Sequence, residues 1–159
     1  MQLSKNYKRK LLFYLLVSSL IVFLDQLLKT MILADVGLGK STSFIPGIIQ
    51  FFVVQNTGGA FSLFKQFPFF FQVIGIVNVI LFSYLVFCPT ISFNNFIKTG
   101  CTLILGGTVS NLTDRFLRGG VIDYLDLQFV SFAVFNLADV FIDLGVMLIL
   151  IGWYLNKKL

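Results

Sequence analysis

The sequence predicts an all-α integral membrane protein, a four-transmembrane-helix bundle with a small extracytoplasmic loop region that contains β-structure. Three observations predict it. Apolar residues make up 57% of the 159 and charged residues 12%, against about 45–50% and about 25% in an average soluble domain. Mean hydropathy is +0.92. The apolar residues also fall into four runs, each close to the ~20 residues that cross a ~30 Å hydrocarbon core as a helix. A chain this short has no interior large enough for so much apolar surface. That excludes a soluble enzyme, a disordered chain and a nucleic-acid module, and leaves one membrane domain over 1–159.

The first run follows a basic start (Lys5, Lys8, Arg9, Lys10) and covers about 11–31. It lacks a small-x-small cleavage site and continues through Asp25-Gln26-Leu27-Leu28-Lys29, which favours a retained helix over a removed signal peptide. From 32 to 68 glycines and Pro46 interrupt the pattern, and Ile48 to Gln55 is rich in β-formers and reads as a strand. The second helix is expected over 69–88, stopped by Pro89. The third, 99–116, contains Gly100, Gly106 and Gly107, small residues that let helices approach closely. A second loop, 117–136, alternates over Val121 to Leu127, and the fourth helix spans 137–155. Tyr14, Trp153 and Tyr154 read as aromatic anchors at one interface.

Four spans put both termini on one side. That side carries Lys5, Lys8, Arg9, Lys10, Lys98, Lys157 and Lys158, so the positive-inside rule predicts both termini in the cytoplasm. The two large loops then face outward. Cys88 and Cys101 fall at the inner ends of their helices and are expected as free thiols.

The acids carry the chemistry. All seven are Asp, and five of them lie between 114 and 143. The chain has no His, which excludes a Ser-His-Asp triad and a His-ligated metal, and two cysteines cannot build a multi-Cys zinc site. Asp123 lies just after the third helix and Asp139 in the first turn of the fourth. A loop folding back would bring them together at the outer rim, where two close carboxylates cannot easily both ionise. One keeps a proton while the other activates water, which suffices for aspartic peptide hydrolysis without metal or cofactor. Read singly, each residue also has an ordinary explanation. Asn136 and Asp139 fit a capping box, Asp123 and Asp126 fit solvated loop positions, and Asp114-Arg115 fits a charge pair at a helix end.

Four segments occur in order: Asp25-Gln26-x-x-Lys29; Asn56-Thr57-Gly58-Gly59-Ala60-Phe61; Asn111-x-x-Asp114-Arg115 with Gly120-Val121-Ile122-Asp123; and Phe135-Asn136-Leu137-Ala138-Asp139. Together they resemble the signature blocks of the lipoprotein signal peptidase (signal peptidase II) family. The resemblance implies an aspartic endopeptidase of the bacterial cytoplasmic (inner) membrane that removes the signal peptide of diacylglyceryl-modified prolipoproteins, just before the lipidated cysteine. It implies Asp123 and Asp139 as the catalytic dyad. Asn111, Arg115 and Asn136 would hold the substrate backbone, and Asn56 and Gly58 would belong to an outer loop that cradles the substrate. Asp25 and Lys29 read as an i,i+4 ion pair fixing the first helix near the interface, structural in role, as is Asp114.

The sequence departs from that pattern in three places. Ser110 stands where Gly is usual, and a tolerated, tighter contact is expected. Gly59 stands where Ala is common, and a looser turn is expected. Asp143 is an additional acid one helical turn beyond Asp139.

Lipidated prolipoproteins and membrane lipids are the expected partners, with no nucleic acid, no metal and a monomeric chain. The competing reading is a small transporter using intramembrane Asp residues as proton relays. It requires carboxylates spread at mid-depth over several helices, whereas here Asp123 is in a loop and Asp139 at a helix end.

Overall fold

The computed structural model describes residues 4–59 and 66–157. The element order is α1 (Lys5–Asp35), β1 (Ser41–Ile45), β2 (Ile49–Asn56), α2 (Pro68–Phe87), α3 (Asn95–Leu117), β3 (Val121–Leu127) and α4 (Leu137–Asn156). The helices extend beyond the apolar runs because polar residues cap them. Ser4 caps α1 by accepting from the Tyr7 N–H, and Asn94 caps α3 by accepting from the Ile97 N–H. Pro68 opens α2 at a position where its missing N–H costs nothing. Phe61 and Lys65 in the first loop, and Lys158, lie outside the described residues.

Three helices, α1, α2 and α4, are long and apolar enough to cross a membrane. Their outer faces expose large apolar side chains such as Phe23, Ile80 and Leu150, as lipid-facing helices do. α3 differs. It packs against all three others and holds more buried positions than any other helix, including Thr102, Ser110, Asn111 and Asp114. Glycines make the close contacts possible. A Cβ on Gly107 would lie 2.5 Å from the Ala138 carbonyl of α4, and one on Gly106 would lie 3.0 Å from the Ser18 carbonyl of α1. The small residues expected in the third helix therefore face two different neighbours.

The sheet has the order β1-β2-β3, all antiparallel. The two strands legible from β-formers and alternation are β2 and β3. β1 is an addition, and its sequence Ser-Thr-Ser-Phe-Ile gives little strand signal. β2 pairs Val54 with Asp123 and Asn56 with Val121, with one extra β2 residue between the pairs at Phe51 and Val54. This pairing joins the first loop to the second and carries Asn56 to the dyad. Contrary to simple alternation, Val121 to Tyr124 are all buried, because helices and β2 together enclose the start of β3. Tyr14 also departs from expectation. It is buried against Val86, Ile97 and Cys101 and is a core residue rather than an interfacial anchor, whereas Trp153 and Tyr154 are exposed.

Candidate active site

Two linked layers of polar residues occupy the end of the bundle next to the sheet. The deeper layer centres on Lys29. Its ammonium lies 2.7 Å from Asp25 Oδ2 and 2.8 Å from Asp114 Oδ2, and donates to Asn111 Oδ1 at 2.9 Å. That uses all three of its hydrogens. Asp25, Lys29 and Asp114 are each 0% exposed. The i,i+4 pair expected at the interface is thus a fully buried three-body cluster, closed by an aspartate from another helix. Asp114 pairs with Lys29 and Arg118, so the charge pair read for Asp114-Arg115 does not form.

This cluster holds the two strands of chain that deliver the dyad. Asp25 Oδ1 accepts from the Ala138 N–H at 2.9 Å, and Asp114 Oδ2 accepts from the Ile122 N–H at 3.2 Å. Ala138 and Ile122 are the residues immediately before Asp139 and Asp123. Three further residues complete the cluster. Ser110 Oγ donates to Asp25 Oδ2 at 2.6 Å, Gln26 Nε2 donates to Asp114 Oδ1 at 2.9 Å, and Arg118 donates to Gln26 Oε1 at 2.9 Å. Sequence reasoning passed over Gln26 and Arg118. Gln26 sits inside the first quoted block, which was its only signal. Ser110, read as a tolerated departure, supplies a buried hydrogen bond that Gly could not.

The upper layer holds Asp123 and Asp139, bridged by Asn136. Asn136 Nδ2 donates to Asp123 Oδ1 at 2.6 Å, and its backbone N–H donates to Asp139 Oδ2 at 3.1 Å. Its Oδ1 accepts from the Asp139 N–H at 3.0 Å. The capping box is therefore present, and Asn136 also reaches Asp123. Asn111 connects the layers. Its Oδ1 faces Lys29 and Asn136, so its amide hydrogens turn to Asp139 Oδ1 at 2.8 Å. Asn56 Nδ2 donates to Asp123 Oδ2 at 3.0 Å, and Asn56 Oδ1 accepts from the Gly58 N–H at 3.0 Å.

Asn56, Gly58, Asn111, Arg115, Asp123 and Asp139 line one cavity of about 520 Å³. Asn136 does not. It is fully buried with its side chain committed to Asp123, Asn111 and Asp139. Arg115 donates weakly to the Gly58 carbonyl at 3.4 Å, lies 5.7 Å from the Phe71 ring centre, and leaves its buried Nε without a protein partner. The remaining wall is apolar and runs down α4 past Val140, Leu144 and Met147, with exposed Asp143 among them. Gly59 packs against Phe71. A Cβ there would lie 2.7 Å from the Phe71 ring, so the glycine makes room for the ring under Arg115.

Burial is the main influence on Asp123, and the Asp139 charge is the next. Together they push it up to about 7, against the opposing hydrogen bonds from Asn56 and Asn136. No group of three or more His, Cys, Asp or Glu suited to a metal ion occurs among the described residues.

Residues 17–155 match the family model described as signal peptidase (SPase) II. The chain belongs to the signal peptidase II family. Curated relatives agree. The lipoprotein signal peptidase of Lactobacillus johnsonii is 38% identical over 91% of this chain and 93% of its own. That of Nostoc punctiforme is 39% identical over 82% of each. A solved bacterial membrane enzyme superposes with a TM-score of 0.83 at 28% identity, covering 91% of this chain and 89% of that one. Membership makes the chain a membrane peptidase, and the transporter reading is not favoured.

Proposed function

We infer that this chain removes signal peptides from lipoprotein precursors and that Asp123 and Asp139 perform the hydrolysis. The observation that carries the residue assignment is the bridge: two carboxylates joined through Asn136, both opening on one cavity, with no metal chemistry needed. With one proton shared by the pair, the ionised carboxylate takes a proton from water as its oxygen attacks the scissile carbonyl. The protonated carboxyl gives its proton to the carbonyl oxygen. The tetrahedral intermediate then collapses: the C–N bond breaks, a proton passes to the amine, and the pair regains its single proton. Because the two sites are coupled, that proton belongs to the dyad as a unit.

Arg115, Asn111, Asn56 and the Gly58 turn fit substrate contacts, since all line the cavity. Asn136 fits a positioning role, because its buried amide is spent on the dyad. The bundle reads as four-pass, with α3 crossing inside the ring of its neighbours and both termini cytoplasmic. The dyad then sits near the outer headgroup level. A diacylglyceryl-cysteine keeps its acyl chains in lipid at that depth, along the apolar wall below Asp139.

The test is a gel-shift assay with the purified chain, a prolipoprotein with or without its diacylglyceryl group, and the Asp123→Asn and Asp139→Asn variants. Cleavage of the lipidated substrate alone, absent in both variants, is expected. Cleavage surviving in either folded variant removes the dyad assignment.

A further inference from the structure

The opposite end of the bundle has a second polar cleft, of about 200 Å³, between the start of α1, the end of α2 and the start of α3. Tyr7, Lys10, Tyr14, Ser92, Asn95 and Lys98 line it. Tyr7 Oη donates to the Phe87 carbonyl at 2.9 Å, which pins α1 to the end of α2, and Lys98 Nζ lies 5.9 Å from the Tyr7 ring centre. Neither Lys10 nor Lys98 has a carboxylate partner among the described residues. All three ion pairs found there lie in the deep layer of the candidate active site, and every aspartate belongs to that half of the bundle or to its loops. Among the described residues the cationic cleft is therefore uncompensated.

An apolar groove of about 420 Å³ adjoins it, walled by Leu11, Leu12, Leu15 and Phe87 with Lys8 at its end. Leu11 is common to both. Helical spacing explains the arrangement. Tyr7, Lys10, Leu11 and Tyr14 form one face of α1, and Lys8, Leu11, Leu12 and Leu15 form the adjacent face. A cleft lined by two ammonium groups thus opens directly onto an apolar groove. We propose that cleft and groove together bind one anionic phospholipid from the leaflet at the chain termini, its phosphate between Lys10 and Lys98 and an acyl chain along Leu11, Leu12 and Leu15. A free phosphate has no use for the groove, and a zwitterionic lipid gains little from two unpaired lysines.

Native mass spectrometry of the full chain in detergent tests this with dioleoyl phosphatidylglycerol, dioleoyl phosphatidylcholine and inorganic phosphate as probes. The wild type is expected to hold phosphatidylglycerol roughly ten-fold more tightly than phosphatidylcholine. Lys10→Gln with Lys98→Gln should bring that ratio near one, while Lys5→Gln with Lys157→Gln, an equal loss of charge outside the cleft, should leave it intact. Should the first pair fail to fold, Lys10→Gln alone at its exposed position reads the same loss at about three-fold. Equal affinity for the two lipids in the wild type overturns the proposal. So does an equal loss in both double variants, which means diffuse attraction, or displacement of the lipid by equimolar phosphate, which means a free-anion site.

Discussion

Asp25 and Asp114 share a buried ammonium, whereas Asp123 and Asp139 share only amides. The two pairs are the same residue type, in adjacent layers, linked through one asparagine. In the first, Lys29 and Arg118 offset the charge and every oxygen has a fixed donor. In the second, Arg115 stands at the cavity wall, no ion pair forms, and Asp123 is driven up to about 7. The difference teaches that burial alone does not make a carboxylate reactive. A counter-ion turns it into a strut, and without one burial raises Asp123 instead. The strut then works through the backbone, since Asp25 and Asp114 grip the residues just before Asp139 and Asp123.

The largest expected effect separates the layers by readout. Asp139→Asn should lower kcat/KM by about 10³-fold or more, with the thermal unfolding midpoint unchanged or raised. A large fall in midpoint would place Asp139 among the struts. Lys29→Met should do the reverse. Removing one partner of a buried ion cluster costs about 3–5 kcal/mol, read as a lowered midpoint in detergent. Adding Asp25→Asn and Asp114→Asn to it should restore part of that stability, and no recovery would mean the cluster's hydrogen bonds outweigh its charge balance.

Titration sharpens the contrast. Asp123 has an ordinary value of 3.8 when free and about 7 when folded, so folding takes up a proton between those values. Its contribution to stability is therefore full below about pH 4, declines as pH rises toward 7, and levels off above. Unfolding midpoints measured from pH 4 to 8 should show this decline, flattened in Asp123→Asn. The same ionisation should give kcat/KM of the wild type an alkaline fall near pH 7. A profile flat to pH 9 would contradict a shared proton. The smallest effect is expected at Ser110→Ala, which leaves Asp25 short of one buried donor at a cost of about 1–3 kcal/mol, with kcat unchanged once the variant is folded.

Much of this was legible in the sequence, for identifiable reasons. Helix positions follow from apolar run length, and β2 and β3 from their β-formers and alternation. Asp25 and Lys29 are visible as an i,i+4 pair because helical geometry is local. Their third partner, Asp114, lies 88 residues from Gln26 along the chain, and no spacing rule connects them. Gln26 and Arg118 were missed for the same reason. Tyr14 was misplaced because an aromatic near a basic helix end looks identical whether it faces lipid or Val86. The departures at 59 and 110 acquired meaning only from their neighbours: the Phe71 ring at one and the Asp25 carboxylate at the other.

The seat of α3 has a consequence for how the chain is made. α3 carries Asn111, Asp114 and Arg115 in its last two turns, and Asp114 is fully buried there against Lys29 and Arg118. Its glycine seams fit only helices on both flanks, with α1 meeting Gly106 and α4 meeting Gly100 and Gly107. α4 follows α3 in the chain and carries Asp139. Asn111 and Asp139 therefore meet only when α4 docks on α3 and closes the seam.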